Sequence, residues 1–218
     1  MASNLMQTLD YEVYRCPTTS AMPNLIADER VPASVAQVMR GRLEGDLLLS
    51  RYHNTGDAVI YYPDGSAKLV WDSRDLRGLC EESLLSNGAL VLSDRRTRRA
   101  IDGPILTREE MAAYTCYHQS KSAVLESPVW RWLAREDLDL LYAYANVIFS
   151  RVKERYDLDE AMAVFAGDYP QSHVPVLRSW RLGYIGDFGG RSEAFGYHRL
   201  DKDDGDYLVG VRQPKERF

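Results

Sequence analysis

Cysteine is scarce in this 218-residue chain, and the three present, Cys16, Cys80 and Cys116, are odd in number and far apart. No C-x-x-C and no paired Cys/His spacing occurs, so neither a disulfide framework nor a zinc module is indicated. Free or buried thiols fit a reducing compartment. Long apolar runs are also missing: nowhere do about eighteen apolar residues follow one another, so no helical membrane span is expected. The opening, MASNLMQTLDYEVYRCP, has no basic start followed by an apolar core. No signal peptide is therefore expected, and the product is read as soluble and intracellular when made. A basic excess is lacking too. Net charge is -5, and a dedicated nucleic-acid surface would need a basic stripe. The local exception, Arg95-Arg96 with Arg98-Arg99, reads as a solvated loop.

Catalytic signatures are equally sparse. No G-x-S-x-G, P-loop or H-E-x-x-H occurs. Asp187-Phe188-Gly189 spells the kinase metal-binding tripeptide, but no glycine-rich loop, strand lysine or H-R-D precedes it. His53-Asn54-Thr55 and His118-Gln119-Ser120 both read H-x-[ST], the pattern of 2H-type phosphoesterases, in which two imidazoles act as acid and base on a phosphate. That chemistry is the enzymatic alternative. It needs both motifs on facing strands, whereas His118 falls at the end of a predicted helix. Asp201, Asp203, Asp204 and Asp206 invite comparison with an EF-hand calcium loop. The glycine comes one place early and Arg212 stands where a bidentate glutamate is required, so a solvated turn is expected, with no metal and no cofactor.

What is present is an ordinary globular composition, 45% hydrophobic and 27% charged, on a chain long enough to bury a core without staples. A strand is expected around 11–15, then an irregular arm through Pro17, Pro23 and Pro32. Ser34-Val35-Ala36-Gln37 has capping-box spacing and opens a short helix to about Leu43, stopped near Gly45. Runs 46–52 and 58–62 read as strands, the second joined to 67–71 by the turn Pro63-Asp64-Gly65-Ser66. A short helix over 76–85 and a strand over 89–93 follow. Thr107 caps a helix over 108–118. Ser127, with Pro128 at the first helical position, and Asp137 cap the two parts of a longer helical region, in which Trp130, Leu133, Leu138, Leu141, Ala145, Ile148 and Val152 are expected to share one buried face. A third short helix over 158–165 ends at Gly167. From 174 onward the chain reads as β: 174–182, 192–200 and 207–213, the last two joined as a hairpin by Asp203-Asp204-Gly205-Asp206.

Within 177–211 the composition changes. Six of the fifteen glycines lie between Gly183 and Tyr207, among Asp, Tyr, Phe, Arg, Ser and His. Tyr and Phe give large contact area at small entropic cost, and Gly, Ser, Asp and Arg add adaptable polar contacts. Recurring anchors run through the stretch: Leu177-Arg178-x-Trp180, Arg191-Ser192-x-Ala194-x-Gly196, Leu200 and Leu208-Val209-Gly210-Val211. This arrangement resembles the C-terminal variable region of proteins diversified by retroelements, the class of the phage major tropism determinant and its archaeal relatives. Residues 127–135, Ser-Pro-Val-Trp-Arg-Trp-Leu-Ala-Arg, are similar to those relatives more loosely. In that family template adenines are randomised, so that a codon such as AAC becomes Tyr, Asp, Gly, Ser, His, Arg or Phe, the set found between the anchors here.

The resemblance implies an α+β chain with a C-type lectin fold, two main helices and antiparallel sheets. Residues 1–100 would be a β-rich part of the same domain with a short helix, and 101–218 the lectin core carrying the variable region 177–211. It further implies a non-enzymatic binding protein. Trp180, Leu182, Ala194, Leu200, Val209 and Val211 would be scaffold, with Arg178 and Arg191 structural. Contacts would come from Arg181, Tyr184, Asp187, Phe188, Glu193, Phe195, Tyr197, His198, Asp201, Asp203 and Asp206, pointing outward. Five basic and six acidic residues between Arg178 and Val211 leave the patch nearly neutral, which fits a protein ligand better than a polyanion. The formylglycine-generating enzyme shares that fold but depends on cysteines near its C-terminal end, and the last cysteine here is Cys116. A structural protein using the aromatic patch as an oligomer interface is the remaining alternative.

Overall fold

The computed structural model describes residues 9–15, 17–47, 50–93, 103–166, 172–185 and 191–212, with only the backbone of 116, 117, 184 and 185. In chain order the described elements are β1 Asp10–Arg15, α1 Thr18–Ala27, β2 Val31–Pro32, α2 Val35–Glu44, β3 His53–Tyr61, β4 Ala67–Val70, α3 Arg74–Arg77, β5 Leu85–Ser86, β6 Ala89–Val91 and β7 Ile105–Leu106. There follow α4 Arg108–Tyr114, β8 Cys116–Ser120, α5 Lys121–Glu126, α6 Pro128–Leu133, α7 Leu138–Tyr156, β9 Glu160–Phe165, β10 Val176–Ile185, β11 Arg191–Phe195 and β12 Tyr207–Arg212.

One sheet joins all the described strands, with the main order β1-β12-β3-β10-β11-β9-β8. Strands from both halves of the chain interleave in it, since β3 lies between β12 and β10. Most pairs are antiparallel; β12 with β3 and β11 with β9 are parallel. All nine residues of β3 are buried. Val59 and Tyr61 face one core and Ala58 and Ile60 the other, the period-two outcome for a strand covered on both sides. The larger core sets α2, α6 and α7 against Trp180, Leu182, Ala194, Val209 and Val211. The smaller one sets α1 and α3 against Leu177, Leu200 and Leu208 on the opposite face. The apolar anchors Leu177, Trp180, Ala194, Leu200, Leu208, Val209 and Val211 are buried, and Arg191 is half-buried.

Helix starts follow their caps. Ser34 and Thr107 each complete a capping box, with Gln37 and Glu110, and α2 stops at Gly45, which has φ 88. Ser127 and Asp137 cap α6 and α7 as expected, with Pro128 in the first turn. Between those helices Arg135 and Glu136 take positive φ, 62 and 59. Buried Asp57 of β3 holds this break in place, because its carboxylate accepts from Arg135 Nη2 at 2.8 Å, from the Val35 N–H at 2.8 Å and from the Asp72 N–H at 3.1 Å. The Arg135 guanidinium also lies 4.8 Å over Trp71, which stacks on Trp132.

Several expectations are corrected. The arm after Pro17 is a helix, α1, despite Pro23 inside it; burying Met22 and Leu25 fully in the second core outweighs the lost N–H. Among the described members of 46–52 none is in a strand, and β3 begins at His53 instead of residue 58. The helix expected over 76–85 is the single turn α3. The helix opened by Thr107 ends at Tyr114, so His118 lies on β8. Residues 160–165 form β9, not a helix: Ala161, Met162, Ala163 and Val164 are all buried, between β11 and β8. β11 and β12 do not form a hairpin, since β11 pairs β10 and β9 while β12 pairs β1, β2 and β3. Gly167 and the cluster Arg95 to Arg99 lie outside the described residues.

Fully buried Trp180 supplies the test of the anchor set. Trp180→Ala is expected to cost about 3–5 kcal/mol in a urea titration, whereas Asp203→Ala, on the exposed turn, should stay within about 0.5 kcal/mol of the parent.

Candidate functional site

The hairpin β10–β11 is held from the helix side by side chains that bond its main chain. Buried Arg42 of α2 donates to the carbonyl of Leu182 at 2.9 Å, to the carbonyl of Arg51 at 2.7 Å and to Tyr144 Oη at 2.7 Å. Its Nη2 is also 3.0 Å from His53 Nδ1. A guanidinium can only donate, so Nδ1 is the acceptor and the imidazole proton sits on Nε2. Tyr144 of α7 then contacts Ser192 Oγ at 2.9 Å, and Ser192 donates to the carbonyl of Gly183 at 3.3 Å. Thr55 Oγ1 donates to the carbonyl of Trp180, and Tyr61 Oη to that of Gly196, both at 2.8 Å.

On the opposite side of β10 and β11 an aromatic group surrounds one arginine. The Arg181 guanidinium lies 4.6 Å from the Tyr52 ring centroid and 4.7 Å from that of Phe195. Its Nη1 donates to Asp206 Oδ2 at 2.7 Å, and the same oxygen is 3.1 Å from His198 Nε2. Phe195 stacks on Phe165 with centroids 5.4 Å apart and meets Tyr197 edge-on at 5.5 Å. Arg51 lies over Tyr207 at 5.4 Å. The arrangement is tight at Gly183: a Cβ there would come within 2.4 Å of the Tyr52 ring. Tyr52, Phe165, Tyr197 and Tyr207 are half-buried and leave a partly open aromatic surface around Arg181.

The sequence-predicted contact residues divide into three groups. Arg181 and Tyr197 are half-buried members of the aromatic surface, and Asp201 and Asp203 are exposed on the turn beside it. Glu193, Phe195, His198 and Asp206 are buried, which corrects the expectation that they point outward. Three of them have partners: Glu193 Oε1 has His118 Nε2 at 2.9 Å, Phe195 its neighbouring rings, and Asp206 the Arg181 guanidinium; His198 packs beside the Asp206 carboxylate. Tyr184 is on β10, where the register pairs it with Ser192, but its side chain lies outside the description, as do Asp187 and Phe188 altogether. Arg178 is structural as expected, buried and donating to the Asn87 carbonyl at 2.9 Å.

Tyr52 and Phe165 were missed, because the first fell in a run read as a strand and the second at the end of a run read as a helix. The available signal was Gly183, since glycine inside a strand marks close approach of another group.

The phosphoesterase reading gains nothing from the geometry. His53 is on β3 and His118 on β8, four places apart in the strand order, or roughly 19 Å at normal strand spacing. Each ring is already engaged, His53 with Arg42 and His118 with Glu193. Burial, together with Arg42 and Arg51, pushes the His53 pKa down to about 3. The acidic turn is likewise occupied by internal cations: Asp201 pairs with Arg199, Asp204 with Lys202 and Asp206 with Arg181. Among the described residues no group of three or more His, Cys, Asp or Glu is placed to hold a metal ion.

No family model matches the chain, and no curated protein does. A solved structure described as "Accommodation of massive sequence variation in Nanoarchaeota by the C-type lectin fold" is similar over 95% of this chain and 100% of its own, with a TM-score of 0.65 and 14% identity. A likeness of that extent at so low an identity establishes the fold: the chain is α+β and has a C-type lectin fold.

Two measurements check the site. Gly183→Ala should destabilise the protein by about 1–3 kcal/mol through the clash with Tyr52, and the loss should shrink in a Tyr52→Ala background; equal losses in both would remove the contact. The second concerns His53, neutral in the folded state. The unfolded chain takes up a proton near pH 6.5 and the folded one only near 3. The stability this residue contributes is therefore complete above 6.5 and lost as pH falls toward 3, by about 1.4 kcal/mol per pH unit. Urea titrations of the wild type and His53→Gln across that window should diverge with this slope.

Proposed function

We propose that this C-type lectin-fold chain is a non-enzymatic binding protein, that it presents the aromatic face of β10 and β11 to a protein ligand, and that a retroelement diversifies residues 177–211. The supporting observation is a segregation within that stretch. Leu177, Trp180, Leu182, Ala194, Leu200, Leu208, Val209 and Val211 are buried, and the opposite side gathers rings about Arg181. A surface of this kind tolerates replacement, because exposed substitutions cost little while the anchors carry the packing. Aromatic and arginine side chains at the centre of a patch are also the usual source of affinity at protein interfaces.

The contact surface in this reading is Tyr52, Phe165, Arg181, Tyr197 and Tyr207, with Asp201 and Asp203 at its rim. Tyr184, Asp187 and Phe188 remain proposed contacts. Phe195 and Asp206 would act by holding Arg181 and the rings, His198 by packing beside Asp206, and Glu193 by its contact with His118, so their variation would be coupled to their partners'. The near-neutral charge of 177–211 favours a protein over a nucleic acid. No helix among the described residues is long and apolar enough to cross a membrane. The fold neighbour, described as carrying massive sequence variation on this fold in Nanoarchaeota, agrees with an archaeal or viral variable protein.

The locus supplies the test. A near-copy of the codons for 177–211 beside a reverse transcriptase gene, differing only at template adenines, is the expected result. A locus without such a copy, together with invariant codons across a population, would refute diversification. Binding is tested separately by selecting ligands from a displayed peptide library: Tyr197→Ala should weaken the selected complexes about tenfold or more without changing the melting temperature.

A further inference from the structure

Strand β1 is an open edge: among the described residues it pairs with β12 alone, through a regular ladder of six residue pairs. An open edge offers unpaired N–H and C=O groups to any other strand, and proteins usually blunt such edges with lysine, proline or a bulge. The sequence of β1, DYEVYR, has no lysine, proline or bulge, and its two acidic side chains, Asp10 and Glu12, are paired within the chain to Arg30. Val13 instead stands 46% exposed in the middle of the strand. A β-branched apolar side chain left there gains from being covered.

We infer that a second copy of this chain covers the edge, pairing β1 antiparallel with the partner's β1 about a twofold axis through Val13. Symmetry and charge select that register. A twofold normal to the sheet keeps every side chain on its own face, so the pairing must centre on a residue and not between two. Centring on Glu12 would set two carboxylates directly opposite, which is unfavourable. Centring on Tyr11 or Tyr14 would leave much of the strand unpaired. With Val13 at the centre, the two valines meet, Glu12 faces the partner's Tyr14, and Tyr11 faces the partner's Arg15. Arg15 is free to make that contact, being 75% exposed and held only by a 3.7 Å ion pair to exposed Asp203; its guanidinium would lie on the Tyr11 ring.

The contact is isologous and closed, so it ends at two copies. It is also small, one strand from each side, which sets a weak and concentration-dependent association. β1 is at the far end of the strand order from β11 and β9. The dimer thus leaves the centre of both aromatic faces, on β9, β10 and β11, uncovered, while their Tyr207 and Asp203 margin adjoins Arg15; the inference does not depend on the binding reading.

Sedimentation equilibrium over a concentration series tests it. The wild type should pass from monomer to dimer mass as concentration rises, and Val13→Lys, a change at a half-exposed site, should remain monomeric with an unchanged circular dichroism spectrum. Under mild oxidation Val13→Cys should yield a covalent dimer in excess of the parent chain, because the two introduced cysteines face each other. Glu12→Cys should not. A wild type that stays monomeric at millimolar concentration overturns the inference, as does association that survives Val13→Lys or a Glu12→Cys crosslink equal to that of Val13→Cys.

Discussion

A buried guanidinium with no carboxylate against it holds this architecture together. Among the described residues Arg42 is answered by two backbone carbonyls, a tyrosine hydroxyl and a neutral imidazole. Taking such a charge out of water costs several kcal/mol, and hydrogen bonds from a charged donor return about 1.5–3 kcal/mol each. The balance holds only while every acceptor stays in place. Those acceptors belong to α7, to the start of β3 with the residues just before it, and to β10, so one side chain on α2 fixes three separate pieces of chain. Lysine could not replace it, having no planar fork to reach in several directions. His53 must remain neutral for the same reason: a second cation 3.0 Å from the first would have nothing to balance it.

The second arginine follows the opposite rule. Arg181 has a carboxylate partner in Asp206 and two rings on its faces, and its side chain keeps a small exposed fraction, 12%. The two meet at adjacent residues of β10, since Arg42 bonds the carbonyl of Leu182. The strand is fastened on one side through its main chain, which leaves the side chains on the other free to differ. Main-chain acceptors are present whatever the residue, so this fastening is indifferent to sequence.

Much of this was legible in the sequence, and the parts that were not have one cause. Ser34, Thr107, Ser127 and Asp137 marked helix starts correctly because a cap is a local bond spanning three residues. The anchors of 177–211 were legible through their spacing. Residues 160–165 misled because buried strands covered on both faces lose their alternation, and nothing local tells that Ala163 will lie beside β11. The turn at Asp203 to Asp206 has hairpin chemistry, yet it leads to a strand whose partners are β1, β2 and β3, a choice made by distant segments. The inward placement of Glu193 and Asp206 was hidden likewise, since their partners, His118 and Arg181, are 75 and 25 residues away.

The ladder between β1 and β12 has a mechanical consequence. Asp10 sits opposite Arg212 and Arg15 opposite Tyr207, so the first and last described strands leave the sheet side by side. A pull between those two exits would load the rungs singly, peeling the pair like a zipper, whereas a shearing load would strain all of them together. Tension on the flanking chain would thus be relieved at the cheapest place in the molecule, well before it reached the hairpin fastened by Arg42.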